Sequence, residues 1–337
     1  WERRRLLVEN LQLRSRLEGM GEIVGTSRRM QEVFELIRRA APARSNILIT
    51  GESGTGKELV ARAIHRLSPR SNEPFVPVHT TAIPSELLES SLFGHVKGAF
   101  TGAVSSRKGL FEAAHQGTLF LDEVGTINPE TQTKLLRVIQ EREIRRVGGV
   151  EARSVDVRLV AATNVDLWGE VQAGRFREDL YYRLNVITID LPPLRHRRED
   201  IPLLVSHFLG TYTEENNREM VGFSPEAIDA LTDYSWPGNV RELENAVERA
   251  VVLSRGETVE LDELPLALRV ESRDELTISE IPPEGLDFRY AVATFQAQLI
   301  RQALKQTGGV QRKAARLLQL SPTTLNEMVH RFELKDE

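Results

Sequence analysis

Short apolar runs rich in branched residues alternate with longer amphipathic segments through the first half of this chain. Such runs are typical of buried parallel strands, and the amphipathic segments between them are typical of crossover helices. The alternation predicts a doubly wound α/β domain with a parallel sheet over residues 21–190. The predicted strands are Asn46–Thr50, Phe75–His79, Thr118–Leu121, Val157–Ala162 and Val186–Asp190.

The pattern becomes purely helical after Pro192 and Pro193, which interrupt regular secondary structure. Residues 191–268 are therefore predicted to form a small helical subdomain. Within it, Ser224 is a good N-cap, because a proline and an acid follow it in the expected first turn. The remaining predicted divisions are a linker over residues 269–286 and an all-α domain over residues 287–337.

The first twenty residues, 1–20, place Leu6, Asn10, Leu13 and Leu17 at spacings of four, three and four. This is a short heptad seam with a polar position in it, as parallel dimeric helices often have. A plain amphipathic helix fits the same spacing equally well. We expect this segment to be a linker or signalling helix.

The C-terminal stretch TGGVQRKAARLLQLSPTTLNEMVHRF predicts two helices around a short turn. Ala314, Ala315, Leu317 and Leu318 would form the apolar face of the first helix. The inward face of the second would be Leu325, Met328 and Val329, after a Ser321-Pro322 cap. This is helix-turn-helix spacing, although a hairpin that serves packing alone would share it. Residues expected to face a major groove are Thr323, Thr324, Asn326, Glu327 and His330, and those expected to contact phosphates are Arg312, Lys313 and Arg316.

Composition and charge narrow the class of protein. The chain has 337 residues, of which 40% are hydrophobic and 28% charged, as in ordinary globular proteins. It has no cysteine, which fits a cytoplasmic protein, and no apolar run near the roughly 18 residues of a membrane span. The net charge is −5, yet residues 285–331 contain seven basic and two acidic side chains. This local basic excess favours DNA binding by the C-terminal domain.

The stretch GESGTGKE follows a predicted strand and precedes a predicted helix, which is the context that a P-loop requires. Glycines let backbone N–H groups surround phosphates, Lys57 reaches the outer phosphates, and the helix N-terminus favours negative charge. The general pattern ends in Ser or Thr, whereas this chain has Glu58. The predicted nucleotide contacts are Gly51, Glu52, Ser53, Gly54, Thr55, Gly56, Lys57 and Glu58.

A pair of carboxylates follows the apolar strand in TLFLDEVG. Open α/β sheets bind ligands at the carboxyl ends of their strands, so Asp122 and Glu123 are expected beside the phosphates. Asp122 would hold Mg²⁺ directly or through water, and Glu123 would orient the attacking water and could also approach the metal.

The stretch GHVKGAFTGAVSSRKG, residues 94–109, places one large aromatic, Phe100, among glycines. Its glycines argue against a regular helix or strand. Taken alone, the segment fits a tolerated surface insertion. It fits equally a binding loop in which an exposed aromatic contacts a partner.

Six motifs in order give the chain a clear resemblance. They are GESGTGKE, GAFTGA, GTLFLDEVG, AATN, FREDLYYRLNV and WPGNVREL. Together they resemble the AAA+ domain of bacterial enhancer-binding proteins, which activate sigma-54 RNA polymerase, over about residues 21–268. The C-terminus resembles a Fis-type helix-turn-helix. Proteins of this family are commonly two-component response regulators with a receiver domain before the AAA+ domain.

The resemblance implies roles for further residues. Arg177 and Arg183 match arginine fingers that reach a neighbouring subunit's γ-phosphate, and Arg241 matches sensor II of the lid. Phe100 and Thr101 would make the sigma contact. The other implied assignments are sensor I (Thr163 and Asn164), the adenine pocket (Ile23 and Val24), and the rest of the sigma-contacting loop (Gly98, Ala99, Gly102 and Ala103).

His79 departs from the family, which usually has Asn at this position. That Asn is thought to restrain the catalytic glutamate, and His79 could still hydrogen-bond Glu123 in its place. The alternative is that His79 is simply a tolerated polar residue at a strand end.

The function implied is a cytoplasmic, ring-forming ATPase, hexameric or heptameric and assembled from dimers. It would use ATP and Mg²⁺ to remodel the sigma-54 closed complex while bound to upstream double-stranded DNA. Two alternatives stay open: a regulator whose ATPase has become a nucleotide sensor, and an AAA+ remodelling machine that acts on other proteins.

Overall fold

The protein is described from a computed structural model. Its described residues are 20–21, 23–254, 256–265, 268, 292, 295–297, 299–301, 303–304, 307, 310–318 and 320–331, with the backbone alone at 322, 323, 327, 330 and 331. The chain divides into two compact units, residues 1–272 and 273–337. The predicted N-terminal helix and the linker over residues 269–286 lie outside the described residues.

The predicted parallel sheet is confirmed, and each strand begins and ends within one residue of its predicted bounds. Its strands are β1 (Ile47–Thr50), β2 (Phe75–His79), β5 (Thr118–Asp122), β8 (Arg158–Thr163) and β9 (Ile187–Asp190). Their spatial order is β2-β5-β8-β1-β9, and all neighbours run parallel. Strand β8 therefore separates the strand that leads into the phosphate loop from the strand that ends in Asp122.

Helices cover this sheet and bury apolar faces against it. Leu119, Leu121 and Ala161 belong to one core cluster, and Ile47, Phe120 and Val160 belong to another. Alternate residues of a strand point to opposite faces, so the sheet separates two apolar layers. The helices are α1 (Arg28–Ala40), α2 (Lys57–Arg66), α3 (Ser85–Phe93), α4 (Leu110–Ala113), α5 (Pro129–Glu141), α6 (Leu167–Gln172) and α7 (Glu178–Leu184).

Two small hairpins stand outside the main sheet. One pairs β3 (Gly94–His95) with β4 (Arg107–Lys108), and the other pairs β6 (Glu143–Arg145) with β7 (Ala152–Ser154). Val147, from the turn of the second hairpin, accepts a hydrogen bond from the N–H of Val96 at 3.1 Å and donates one to the carbonyl of Gly94 at 2.9 Å. The two hairpins therefore share one backbone ladder.

The segment after the sheet forms a lid with three longer helices, α8 (Ile201–Glu215), α9 (Pro225–Asp233) and α10 (Asn239–Leu253). Ser224 caps α9 as predicted, because its hydroxyl accepts the N–H of Ala227 at 3.3 Å. The prediction of purely helical structure was wrong in one detail. A two-stranded parallel pair, β10 (Gly222–Phe223) and β11 (Thr258–Val259), joins α9 to the end of the lid, and strands of two residues leave no periodic signal.

The second unit contains α11 (Gln311–Leu317) and α12 (Pro322–Arg331). Ala314, Ala315, Leu325 and Val329 are buried as predicted. Leu317 was assigned wrongly to the apolar face, since it is 54% exposed. No helix in the described part of the chain combines the length and apolarity needed to cross a bilayer.

Candidate functional site

A cleft of about 930 Å³ opens between the carboxyl edge of the sheet and the lid. The phosphate loop, the end of β5 and the lid helices all contribute to its walls. Among the predicted site residues, the cleft brings together Ile23, Val24, Ser53, Gly54, Thr55, Gly56, Lys57, Glu58, His79, Asp122, Glu123 and Arg241. Residues that motif reasoning missed on the same walls include Leu204, His207, Phe208 and Thr211 of α8.

The phosphate loop presents backbone and side-chain donors to the cleft. Gly54 and Gly56 have φ angles of 79° and 102°, which glycine adopts without a side-chain clash. The backbone N–H groups of Gly54, Thr55 and Gly56 find no acceptor among the described residues. Lys57 is buried, and its Nζ donates to the carbonyls of Gly51 at 2.9 Å and Glu52 at 3.1 Å. A loop with free N–H groups, an ammonium and a helix N-terminus is suited to a phosphate chain.

Glu123 is the carboxylate that the structure fixes most closely beside this loop. Its Oε1 lies 3.8 Å from Nζ of Lys57, and its Oε2 accepts the backbone N–H of Asn164 at 3.2 Å. Its φ of 56° is rare for a residue with a side chain, and such conformations concentrate at functional sites. The contact arises because β8 is the neighbour of β5, so Asn164 directly follows the adjacent strand end. Thr163 itself is buried.

His79 contacts Asp122, and no hydrogen bond joins it to Glu123 among the described residues. Nδ1 of His79 lies 3.2 Å from Oδ2 of Asp122, and its Nε2 lies 3.9 Å from Oε2 of Glu58. The sheet register explains this, since His79 stands directly opposite Asp122 in the β2–β5 pair. Glu123 has already left the strand through its left-handed backbone.

The lid closes on the phosphate loop through the start of α10. The N–H of Val240 donates to the carbonyl of Gly54 at 3.0 Å, and the side-chain amide of Asn239 donates to the carbonyl of Ser53 at 3.0 Å. The guanidinium of Arg241 reaches the hydroxyl of Ser53 at 3.3 Å. The turn before α10 therefore holds Arg241 over the loop.

Glu52 forms a second link between the phosphate loop and the lid. Arg195 donates to both its carboxylate oxygens, at 2.8 and 2.6 Å, and Asn239 adds a third bond at 3.1 Å. These bonds, that from Arg195 foremost, lower the pKa of Glu52 to about 2. Sequence reasoning assigned Glu52 to nucleotide contact, whereas the structure shows a side chain paired with the lid.

Arg197 is a second residue from the segment before α8 that contacts the phosphate loop and that motif reasoning missed. It is buried, lines the cleft, and donates to the carbonyl of Thr55 at 3.2 Å. Burial lowers the pKa of its guanidinium. The only sequence signal was the charged run LRHRRED, which normally indicates a solvated surface.

The predicted adenine wall is held in place by a buried carboxylate. Asp200 accepts the backbone N–H groups of Thr26 at 2.6 Å and Ser27 at 2.8 Å. Ile23 and Val24, just before them, are each 8% exposed and line the cleft. An apolar wall of this kind suits the flat face of a base.

Arg177 and Arg183 do not line the cleft of their own chain. Both are exposed, at the two ends of α7. Arg177 pairs with Asp179 at 2.7 Å, and the side chain of Asn46 donates to the carbonyl of Arg183 at 2.9 Å.

The loop over residues 98–103 forms a closed tip between β3 and β4. The N–H of Gly98 donates to the carbonyl of Ala103 at 2.9 Å, and Ala103 is buried. Gly98 and Gly102 have φ angles of 83° and 105°. Phe100 is 37% exposed and packs edge-on against the ring of His95, with centroids 5.1 Å apart. The tip therefore presents an aromatic and the exposed Thr101, with Ala103 as inward support.

In the second unit, the hydroxyl of Ser321 caps α12 by accepting the N–H of Thr324 at 3.0 Å. Thr324 and Asn326 are exposed on this helix, and Arg312, Lys313 and Arg316 are exposed on α11. The side chains of Thr323, Glu327 and His330 lie outside the described residues. The described part is thus compatible with a helix that reads a groove and a helix that contacts phosphates.

Three family models match successive parts of the chain. The Sigma-54 interaction domain matches residues 23–190, the AAA+ ATPase lid domain matches residues 195–280, and the Fis family of bacterial regulatory proteins matches residues 291–327.

Individual relatives agree with these matches. The chain is 46% identical to the Nif-specific regulatory protein of Herbaspirillum seropedicae, over 99% of this chain and 66% of that protein. It is 54% identical to the transcriptional regulatory protein ZraR of Klebsiella oxytoca, over 90% of this chain and 67% of that protein. The chain thus spans about two thirds of the length of these curated relatives. The crystal structure of NtrX from Brucella abortus in complex with ATP matches with a TM-score of 0.69 and 37% identity, over 96% of this chain and 73% of that one.

The parallel sheet, the phosphate loop and the lid define an ATPase of the AAA+ class. The chain belongs to the family of sigma-54-dependent transcriptional activators, the bacterial enhancer-binding proteins with a Fis-type helix-turn-helix.

Proposed function

We propose that this chain binds and hydrolyses ATP with Mg²⁺ in a ring of identical subunits, and uses the energy to remodel the sigma-54 RNA polymerase closed complex from upstream DNA. The observation that carries the proposal is the position of Glu123. Its carboxylate faces the phosphate loop, 3.8 Å from Nζ of Lys57, and is held by the N–H of Asn164.

Glu123 would orient and polarise the water that attacks the terminal phosphate. Phosphoryl transfer depends on positioning and on stabilising charge, and both kinds of group are present here. Lys57 and the free N–H groups of the loop would neutralise the phosphate oxygens. Arg241 would add charge from the lid side, because it already lies above Ser53.

The donor set also fits Mg²⁺, which usually takes one or two carboxylates and completes its octahedron with substrate phosphates and water. Asp122 and Glu123 supply such carboxylates at the strand end. Among the described residues, no cluster of three or more His, Asp or Glu side chains could hold a metal by itself. When bound, Mg²⁺ would neutralise charge on the phosphates.

Assembly supplies what the cleft of one chain lacks. Arg177 and Arg183 lie outside their own cleft and are exposed, which supports contact with the nucleotide of a neighbouring subunit. An arginine finger of this kind contributes about 10³–10⁵ to turnover. The exposed tip with Phe100 and Thr101 would contact sigma-54, and α12 would read DNA.

The domain organisation is also part of this proposal. It divides the chain into residues 1–20, 21–190, 191–268, 269–286 and 287–337.

The deciding experiment measures ATP turnover against protein concentration for wild type, Arg177→Ala and Arg183→Ala. A shared site predicts turnover per subunit that rises steeply with concentration and collapses in both variants. Arg175→Ala is the matched control, because Arg175 is also exposed and, like Arg177, pairs with a nearby carboxylate. Turnover that is flat with concentration, or indifferent to Arg177 and Arg183, would rule out the ring.

A nucleotide sensor is the second candidate, and the contact of His79 with Asp122 favours it. Because it contacts the carboxylate expected to bind the metal, the His79 side chain could hold the site in a state that binds ATP without hydrolysing it. ATP binding without turnover at any protein concentration would support this candidate over the first.

A further inference from the structure

A separate cavity lies at the opposite edge of the main sheet, where the strands begin. Its volume is about 220 Å³, and its walls include Asn46 before β1, Val157 before β8 and Val186 before β9. The nucleotide cleft lies at the carboxyl ends of the same strands. A ligand in this cavity would therefore be distinct from a nucleotide bound by the same chain.

Three arginines, Arg44, Arg142 and Arg183, line this cavity, and no carboxylate lines it. All three are exposed, and within the described part of the chain none of their guanidinium groups has a hydrogen bond or ion pair with a protein acceptor. Asp156 is within electrostatic range of Arg44 and Arg142, but Arg70 already holds its carboxylate at 2.7 Å. The cavity is therefore a concentration of positive charge with unused donors.

The backbone of Arg142 supports a role for its side chain. Arg142 ends α5 with a φ of 56°, a left-handed conformation in which helices usually place glycine. Its backbone bonds, to the carbonyl of Val138 and from the N–H of Val155, would be equally available to a glycine. An arginine here costs conformational energy that no described contact of its guanidinium offsets.

We infer that Arg44, Arg142 and Arg183 form a second anion site, which binds the phosphate oxygens of a polyphosphate chain. Planar guanidinium groups donate in pairs to phosphate oxygens, and arginine is favoured wherever such recognition matters. A volume of about 220 Å³ admits a phosphoryl group together with water.

Two sources could supply this anion. One is the nucleotide held by a second copy of this chain. Arg44 and Arg142 would then contact that nucleotide together with Arg183 at the shared site, so this source rests on the proposed function. The other is a free polyphosphate from solution, which requires no assembly. The chemistry is the same in both cases.

The first experiment measures binding of inorganic triphosphate by calorimetry in a Lys57→Ala background, which removes the phosphate loop as a competing site. Adding Arg142→Gly or Arg44→Ala should weaken binding about tenfold or more, since each removes charged hydrogen bonds. Arg142→Gly is informative because glycine suits the left-handed backbone at this position, so we expect the variant to fold. Arg137→Ala, an exposed arginine on α5 outside the cavity, should leave affinity unchanged.

The second experiment distinguishes the sources by mixing two full-length variants. Lys57→Ala keeps the arginines but loses the phosphate loop, and Arg44→Ala/Arg142→Gly has the reverse defects. Turnover of the mixture above the sum of the separate preparations would assign the site to the nucleotide of a second copy. Triphosphate binding without that gain would assign it to a free anion.

If neither triphosphate binding nor a gain on mixing is observed, the anion site is overturned. If wild type has no turnover at all, the proposed ATPase fails, while the triphosphate titration still decides whether the three arginines bind an anion.

Discussion

Arg195 forms a bidentate ion pair with Glu52, with its two guanidinium nitrogens 2.8 and 2.6 Å from the two carboxylate oxygens. The pair joins the phosphate loop to the short segment that leads into the lid. Because Asn239 binds the same carboxylate, Glu52 connects the loop both to this segment and to the start of α10.

Glu52→Gln should lower the free energy of unfolding by about 1 kcal/mol at pH 7, a value reduced for side chains that are 38% and 41% exposed. The pKa of Glu52 falls from 4.5 to about 2 on folding, so its stabilisation is complete above pH 4.5 and is lost as pH falls towards 2. Urea unfolding of both proteins between pH 7 and pH 3 checks this. Glu32→Gln, in an exposed pair with Arg28, should change stability by less than about 0.5 kcal/mol. A difference between Glu52→Gln and wild type that does not shrink in acid would contradict the ion-pair explanation.

Glu123→Gln should reduce ATP turnover by about 10²–10⁴-fold, the usual worth of a positioned general base. Binding should persist, because the loop donors and Lys57 are unchanged. Lys57→Ala should instead abolish nucleotide binding. Phosphate release and titration with a fluorescent nucleotide measure the two effects separately. Wild-type turnover in Glu123→Gln would remove this residue from the mechanism, and unchanged affinity in Lys57→Ala would remove the phosphate-site assignment.

Gly54→Ala should disturb the contact between lid and loop. A Cβ at Gly54 would come within 2.2 Å of the carbonyl oxygen of Gly238, and the φ of 79° is itself unfavourable for alanine. Gly174 is the matched control, since its φ is 73° but a Cβ there would meet nothing within 4 Å. We expect Gly174→Ala to cost about 1 kcal/mol from backbone strain alone, and Gly54→Ala to cost about 1–3 kcal/mol more, with loss of nucleotide affinity. Equal losses of stability and affinity in the two variants would show that the lid contact is unimportant.

Thr101→Ala should spare ATP turnover and abolish the sigma-54 contact. Thr101 lies at the exposed tip, outside the walls of the nucleotide cleft. Turnover, retention of purified sigma-54 and promoter opening are the three measurements. Ser105→Ala, exposed on the same excursion but beyond the closed loop, should behave as wild type. Normal promoter opening by Thr101→Ala would refute the role of the tip.

The sequence predicted the main sheet closely, because buried strands such as Ile47–Thr50 need continuous branched apolar residues. The sequence did not predict strand β6. Ile144 is the only buried residue of the three in this strand, and a single apolar residue cannot show the alternation of a strand. The sequence also could not identify Asp122 as the partner of His79, since a partner across β2 and β5 depends on a register that no local pattern contains. The Glu52–Arg195 pair joins residues far apart along the chain, and each looks like an ordinary surface charge.

The ladder through Val147 has a consequence for how the GAFTGA tip can be used. Val147 fixes both Gly94 and Val96, and a Cβ at Gly148 would come within 2.8 Å of Ala99, so the tip is braced by a hairpin about fifty residues further along the chain. The stiffness of the tip is therefore encoded outside its own motif. Grafting the six residues onto another scaffold would transfer the contact side chains without the support that fixes their position.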